Sequence, residues 1–280
     1  MLSNSNQLHW MPWPASTKAV DAQAIFSARC YGALAGDLDL DFENTQRPLL
    51  ITQLLGRCLR QTNDVAYTES TLWEWSLNRR LQGVLAITAA TIGPTVLLRA
   101  KCSATDCGEE LELPLELAMF QQANEPETLC CKLDDTTQLA LRLPTGKDQD
   151  RWLNQFYGAS QDLALSMARS LVSSVQGELP QADWRLPEAW LDPVAEALAE
   201  SDPLTALSLH SQCPVCHEDN ELELDLEGWL LQQLADEQVM LLRQVHRLAS
   251  VYHWSEEQII SLPQRRRNDY LTLINKAMTT

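Results

Sequence analysis

The sequence predicts an α+β protein that is mostly helical and contains two similar β-hairpins, each with a pair of cysteines at its tip. In two stretches an alternating apolar run leads into two cysteines and then into a second alternating run. The second runs begin alike, with Glu-Leu-Glu-Leu at residues 110–113 and again at 221–224. Such alternation is typical of strands, whereas much of the remaining chain repeats apolar residues every three or four positions, as helices do.

Residues 1–45 are predicted to form a partly ordered N-terminal arm. The stretch 9–14 is a turn-rich aromatic patch, and residues 37–43 alternate acidic with apolar side chains. Both patterns suit a surface segment or an edge strand. A docking peptide for a partner protein is the alternative that this composition leaves open.

Residues 46–147 are predicted to form an N-terminal half, in which helices precede the first hairpin. Leucines recur at helical spacing between residues 49 and 59, and Thr68 provides a start signal for a second helix. Gly93 and Pro94 end the helical run. After the hairpin we expect a short helix at about 115–122 and a strand at 138–143.

Residues 148–200 are predicted to form a helical connector, and residues 201–280 the second hairpin with a helical tail. The tail begins with the longest helix of the chain and continues with two short helices. Ser255 and Gln258 have the spacing of a capping box at the start of the first short helix. Pro263 is placed to open the second.

The two cysteine pairs give the clearest chemical signal. Four residues separate Cys102 from Cys107, and two separate Cys213 from Cys216. Four thiolates on two tight turns are the ligand set of a closed tetrahedral zinc site, in which no position remains for a reacting water. The sequence therefore predicts a structural Zn²⁺ bound by Cys102, Cys107, Cys213 and Cys216.

Other roles for these cysteines remain open. They could be small buried hydrophobes, or the remnant of a lost site. A redox role for Cys213 and Cys216 requires a helix N-terminus after a strand, but a strand-like run follows them. A zinc deaminase requires a His-x-Glu motif, which the chain lacks. His210 and His217 flank the second pair and could replace a thiolate, though such neighbours are more often bystanders.

The composition argues against several classes of function. The 280 residues have a formal net charge of −17, which disfavours general attraction to nucleic acid or to an anionic membrane. The most apolar window, residues 81–98, is interrupted by polar residues and by Gly93-Pro94, so no membrane span is expected. Eight cysteines without a recognisable signal peptide suit a reduced, cytoplasmic, metal-using protein better than a disulfide scaffold.

We find no motif that predicts an enzyme. A phosphate loop at Gly146 is excluded, because Leu141 stands where glycine is required and Asp148 where Ser or Thr is required. The chain has neither a nucleophile motif nor paired carboxylates in a cleft-like context. The adjacent Cys130 and Cys131 are interpreted as core or surface thiols, with a redox switch as the alternative.

The C-terminal tail differs in charge from the rest of the chain. Residues 241–280 contain six basic and three acidic side chains, and the helices resemble a helix-turn-helix in outline. One hypothesis is a zinc-ribbon regulator that binds nucleic acid through Arg265, Arg266 and Arg267. DNA binding usually requires a more basic face, so we favour a solvated face or a contact site for a partner, with Trp254 and these arginines as candidate contacts.

Several stretches together form a familiar pattern. They are residues 241–249 (Leu-Leu-Arg-Gln-Val-His-Arg-Leu-Ala), 252–259 (Tyr-His-Trp-Ser-Glu-Glu-Gln-Ile), 262–271 (Leu-Pro-Gln-Arg-Arg-Arg-Asn-Asp-Tyr-Leu), 141–145 (Leu-Arg-Leu-Pro-Thr) and 213–216 (Cys-Pro-Val-Cys). With them, residues 46–276 resemble the baseplate hub assembly chaperone family of T-even-type contractile phages, which has relatives in tailocin-like and extracellular contractile injection systems. The chain departs from this pattern at the longer Cys102–Cys107 spacing and at His217, where glycine is usual.

The resemblance implies a non-enzymatic role in assembly. Members of this family help the central hub or spike proteins of a tail-like particle to reach the baseplate. The expected partners are therefore hub or spike proteins, met in the cytoplasm while the particle assembles. A zinc-ribbon nucleic-acid-binding regulator is the alternative function.

Overall fold

The computed structural model describes residues 8–13, 25–121, 125–134, 137–155, 160–178, 183–205 and 207–278. The chain is an α+β protein in which about half of the residues are helical and the strands form small antiparallel sheets. Of the helices in these ranges, not one is both long and apolar enough to cross a bilayer.

The helices and strands follow one another in four groups along the chain. The first group is β1 (Met11–Trp13), β2 (Phe26–Ala28), α1 (Arg47–Cys58), β3 (Leu59–Arg60), α2 (Glu69–Glu74) and α3 (Leu77–Ile92). The second is β4 (Thr95–Lys101), β5 (Glu110–Glu116), β6 (Leu129–Lys132) and β7 (Gln138–Leu141). The third is α4 (Gly146–Asn154), α5 (Ser160–Leu171), β8 (Val172–Val175) and α6 (Leu191–Ser201). The last is β9 (Leu207–Gln212), β10 (Asp219–Leu224), α7 (Leu226–Tyr252), α8 (Glu256–Ile260) and α9 (Gln264–Met278).

The largest core lies where α1 and α3 pack against the first half of α7. Both hairpins add apolar side chains to this core, which joins segments that are far apart in the sequence. The predicted arm contributes as well, because β2 pairs with both β1 and β3. Trp13 and Phe26 are buried there at 5% and 0% exposure, and Trp13 Nε1 donates to Gln82 Oε1 at 3.1 Å.

A second core combines the end of the predicted N-terminal half with the predicted helical connector. It is formed by the sheet β6–β7–β8 together with α5 and α6. β8 is a strand where the sequence predicts only helices, since Val172 and Val175 are β-branched and pair with β7. Leu139 and Leu141 on β7 are fully buried in this core.

The third core holds the C-terminal tail together. The second half of α7 packs against α8 and α9 around Leu248, Ile259 and Ile274. Ser255 and Gln258 form the predicted capping box at the start of α8. The predicted second short helix is longer than expected, because α9 has 15 residues.

Arg80 is a fully buried arginine that connects the N-terminal helices. Its guanidinium donates to the carbonyl oxygens of Leu72 at 2.8 Å and Pro48 at 2.6 Å, and to Thr52 Oγ1 at 3.0 Å. Burial lowers the pKa of Arg80 to about 10. A Cβ at Gly146 on α4 would lie 2.5 Å from Arg80 Nη1, so the arginine fits only because residue 146 is glycine.

Candidate metal centre

The two cysteine-bearing hairpins have the same construction. β4 pairs with β5 from Thr95↔Glu116 to Lys101↔Glu110, which leaves residues 102–109 as the tip. β9 pairs with β10 from Leu207↔Leu224 to Gln212↔Asp219, which leaves residues 213–218 as the tip. Each tip is closed by a hydrogen bond from its first cysteine, since the N–H of Cys102 donates to Glu109 O at 2.9 Å and that of Cys213 to Glu218 O at 2.8 Å.

The residue after the second cysteine has a left-handed backbone in both tips. Gly108 has φ +65° and His217 has φ +62°. Glycine adopts this conformation freely, whereas for histidine it costs about 1 kcal/mol. His217 therefore occupies a position at which the turn geometry favours glycine.

The fold brings the four cysteine thiols of the two tips together. Cys102 Sγ lies 3.5 Å from Cys216 Sγ, and Cys107 Sγ lies 3.8 Å from Cys213 Sγ. All four sulfur atoms lie within 4.8 Å of one another. These separations are too long for disulfides, in which the sulfurs are about 2.05 Å apart.

The same separations fit a tetrahedral metal ion. Four sulfurs placed about 2.3 Å from a central Zn²⁺ are about 3.8 Å from each other. Cys102 and Cys213 are buried at 7% and 0% exposure, Cys107 is half-buried and Cys216 is exposed. The residues present therefore fit a closed four-thiolate site that is shielded on one side by the hairpins.

Backbone N–H groups point at the sulfur atoms. The N–H groups of Cys216 and Val215 donate to Cys213 Sγ and lower the pKa of that thiol to about 7. The N–H of Glu109 acts in the same direction on Cys107 and is the largest single influence on it, but the Cys216 thiol, burial, Cys213 and Cys102 together outweigh it and raise the pKa of Cys107 to about 12. Four adjacent thiolates repel one another, and a bound divalent cation removes that repulsion.

Asn220 joins the two tips beside the cysteines, and the sequence analysis did not identify it. It is 1% exposed, and its Oδ1 accepts from the N–H of Ser103 at 2.7 Å and from Ser103 Oγ at 2.9 Å. Its Nδ2 donates to the carbonyl oxygens of Ser211 and Glu218 at 3.2 and 2.9 Å. No local pattern marks this role, because it depends on Ser103 in the other tip.

The other sequence candidates do not belong to this cluster. His210 and His217 are not among its members. Cys131 is buried, with Sγ 3.5 Å from Pro193 O, whereas Cys130 is exposed on the other face of β6. Both are free thiols; Cys131 belongs to the second core, and neither belongs to the four-cysteine cluster.

The structure separates the four predicted partner-binding residues. Trp254 is half-buried, stacked on Tyr252 with ring centroids 4.7 Å apart. Arg265 and Arg266 are exposed. Arg267 is instead 7% exposed, and its guanidinium donates to Gln244 Oε1 at 3.1 Å and to Leu262 O at 2.9 Å. Its side chain thus ties α9 to α7 and does not belong to the exposed basic face.

Comparisons with models of protein families, with curated proteins and with solved structures find no match to this chain.

Proposed function

We propose that this protein is a non-enzymatic assembly chaperone or adaptor in which a structural zinc ion holds two zinc-ribbon-like hairpins together. The four-cysteine cluster is the observation that carries this proposal. A closed set of four thiolates leaves no coordination position for substrate or water, which suits a structural and not a catalytic metal.

The proposed client is the hub or spike of a contractile phage-tail-like particle. The support for this client is the sequence resemblance over residues 46–276. The four-cysteine cluster adds a physical reason for the two cysteine pairs in that pattern. The acidity of the chain is compatible with shielding a basic client during assembly. The three separate cores offer several outer faces to such a client.

Co-expression with hub and spike subunits of a contractile particle tests the proposal. We expect a complex that survives size-exclusion chromatography and keeps the client soluble. Cys213→Ser should weaken the complex while Cys130→Ser, an exposed thiol outside the cluster, should leave it intact. Separate elution of the chain and every hub and spike subunit tested would contradict the assembly role.

The nucleic-acid-binding alternative has weaker support. Its basic face depends on Arg265, Arg266 and Arg267, and the burial of Arg267 leaves two exposed arginines there. A steep loss of duplex DNA binding with rising salt would favour the regulator over the chaperone.

A further inference from the structure

A largely apolar cavity lies between the first and second cores. Its volume is about 380 Å³, which is in the range of about 300–1,000 Å³ typical of ligand sites. Apolar side chains from α5 and α6 form most of its wall. Residues 76–78 at the start of α3 and Trp152 on α4 also contribute to it. The apolar lining includes Met167, Leu171, Leu191, Val194 and Leu198.

The polar part of the lining is acidic. Glu125 and Asp202 both line the cavity, and Ser76 Oγ donates to Glu125 Oε1 at 2.6 Å. Burial raises the pKa of Asp202 to about 6. The hydrogen bond from the N–H of Leu204 lowers this pKa, whereas the nearby Glu125 carboxylate adds to the rise. No lysine or arginine is among the described residues that line the cavity.

Two lining residues each have a buried polar atom with no hydrogen-bond partner in the described ranges. They are the acceptor Asp202 Oδ1 and the donor Trp152 Nε1. A buried polar atom without a partner typically destabilises a protein by about 1–3 kcal/mol, so two such atoms in one cavity require an explanation. A peptide segment carries both a donor and an acceptor in every backbone unit, and it can therefore satisfy both atoms.

We propose that this cavity binds a short apolar segment of a client protein that contains a lysine or arginine, with its aliphatic side chains against α5 and α6 and its cation at Asp202 and Glu125. The client in this statement rests on the proposed assembly function. The charge of the lining decides the chemistry, because two carboxylates disfavour an acidic segment and attract a basic one.

Peptide binding to the purified full chain tests the proposal without any client protein. The probes are acetyl-Leu-Leu-Lys-Leu-amide and the two peptides in which glutamine or glutamate replaces the lysine, compared by calorimetry at about pH 8, where Asp202 is ionised. We expect the lysine peptide to bind at least about tenfold more tightly than the glutamate peptide, since a hydrogen bond to a charged group contributes this much.

Matched variants assign the binding to the cavity. Asp202→Asn should remove most of the preference for lysine, whereas Glu200→Gln makes the same charge change on α6 outside the lining and should keep it. Ala195→Trp should block binding of all three peptides. Ala199→Trp, one turn further along α6, should have the same effect and replaces the first variant if that variant does not fold. Both alanines are exposed and line the cavity.

Three results would overturn the proposal: no binding of the lysine peptide, equal binding of the lysine and glutamate peptides, or binding that survives both tryptophan variants. These results are distinguishable from failure of the assembly function. If the peptides bind as expected but hub and spike subunits do not co-purify, the cavity is a peptide site and the client assignment is wrong.

Discussion

Replacing Cys213 by serine removes the most buried thiol of the cluster and provides the sharpest test of the metal centre. A metal ion bound by the four thiols would join two tips that are 106 residues apart, counted from Cys107 to Cys213. A cross-link that closes a loop of about 100 residues stabilises a fold by about 4.7 kcal/mol through the entropy of the unfolded chain. For a domain of this size, 1 kcal/mol shifts the melting temperature by about 2–4 °C, so we expect Cys213→Ser to lower it by about 10–20 °C.

Calorimetry and elemental analysis together measure this effect. The wild-type chain should contain about one zinc per molecule, and Cys213→Ser should contain much less. Two other cysteines provide the controls. Cys58→Ser introduces a hydroxyl at an equally buried position outside the cluster, and Cys130→Ser at an exposed one. Both controls should keep the metal, and only Cys58→Ser should lose stability, by about 1–3 kcal/mol.

Hydrogen exchange shows whether the two hairpins share one metal. In Cys213→Ser, residues 95–116 and 207–224 should lose protection together, because the thiols of both tips belong to one cluster. Loss of protection confined to residues 207–224, or a melting temperature within about 2 °C of the wild type, would refute the shared site.

Four further substitutions test contacts that only the structure identified. Asn220→Ala should reduce metal affinity by about 10–100-fold, measured by competition with a chelator, because it frees Ser103 and loosens the contact between the tips. Arg80→Met should destabilise the fold by about 3 kcal/mol, since it removes three buried hydrogen bonds made by a charged guanidinium. Gly146→Ala should also destabilise it, but less so when combined with Arg80→Met, and additive urea-unfolding energies would contradict the close contact between them. Asp202→Asn should stabilise the chain by about 1 kcal/mol at about pH 8 and not at about pH 2.5, where the carboxyl is protonated in the folded and unfolded states. The sign follows because the folded-state pKa of Asp202 is raised, so the wild-type chain loses stability as the pH rises from about 4 to about 6. Melting temperatures that do not differ between the variant and the wild type at either pH would argue against this prediction.

Local features of the fold could be read from the sequence because neighbouring residues determine them. Thr68 caps α2 and Ser255 caps α8, as their spacing predicts. The alternating runs form β4–β5 and β9–β10, and the apolar stripe after Leu226 forms the long helix α7. The short run Val172–Val175 shows the limit of this approach, since pairing with β7 and not local periodicity makes it a strand.

Two segments that the sequence places at the surface each contain a buried residue, and contacts with other segments bury it. The aromatic patch of the predicted arm contains Trp13, which is buried in the main core by its contact with Gln82. Arg267 looks like a surface residue in a run of three arginines, but Gln244 and the carbonyl at the end of α8 accept its hydrogen bonds. Gln82 and Gln244 are distant in the sequence from Trp13 and Arg267, so burial could not be inferred from composition.

The sequence alone determined the four cysteines, their two turns and the zinc chemistry that such turns favour. Only the tertiary structure decided that the turns meet, because helices α1, α3 and α7 pack into one core and thereby carry the two hairpins to the same place. The cavity with Asp202 and Trp152, the Asn220 link and the buried Arg80 were likewise decided by packing. Each depends on side chains brought together from distant segments, and no local pattern encodes such proximity.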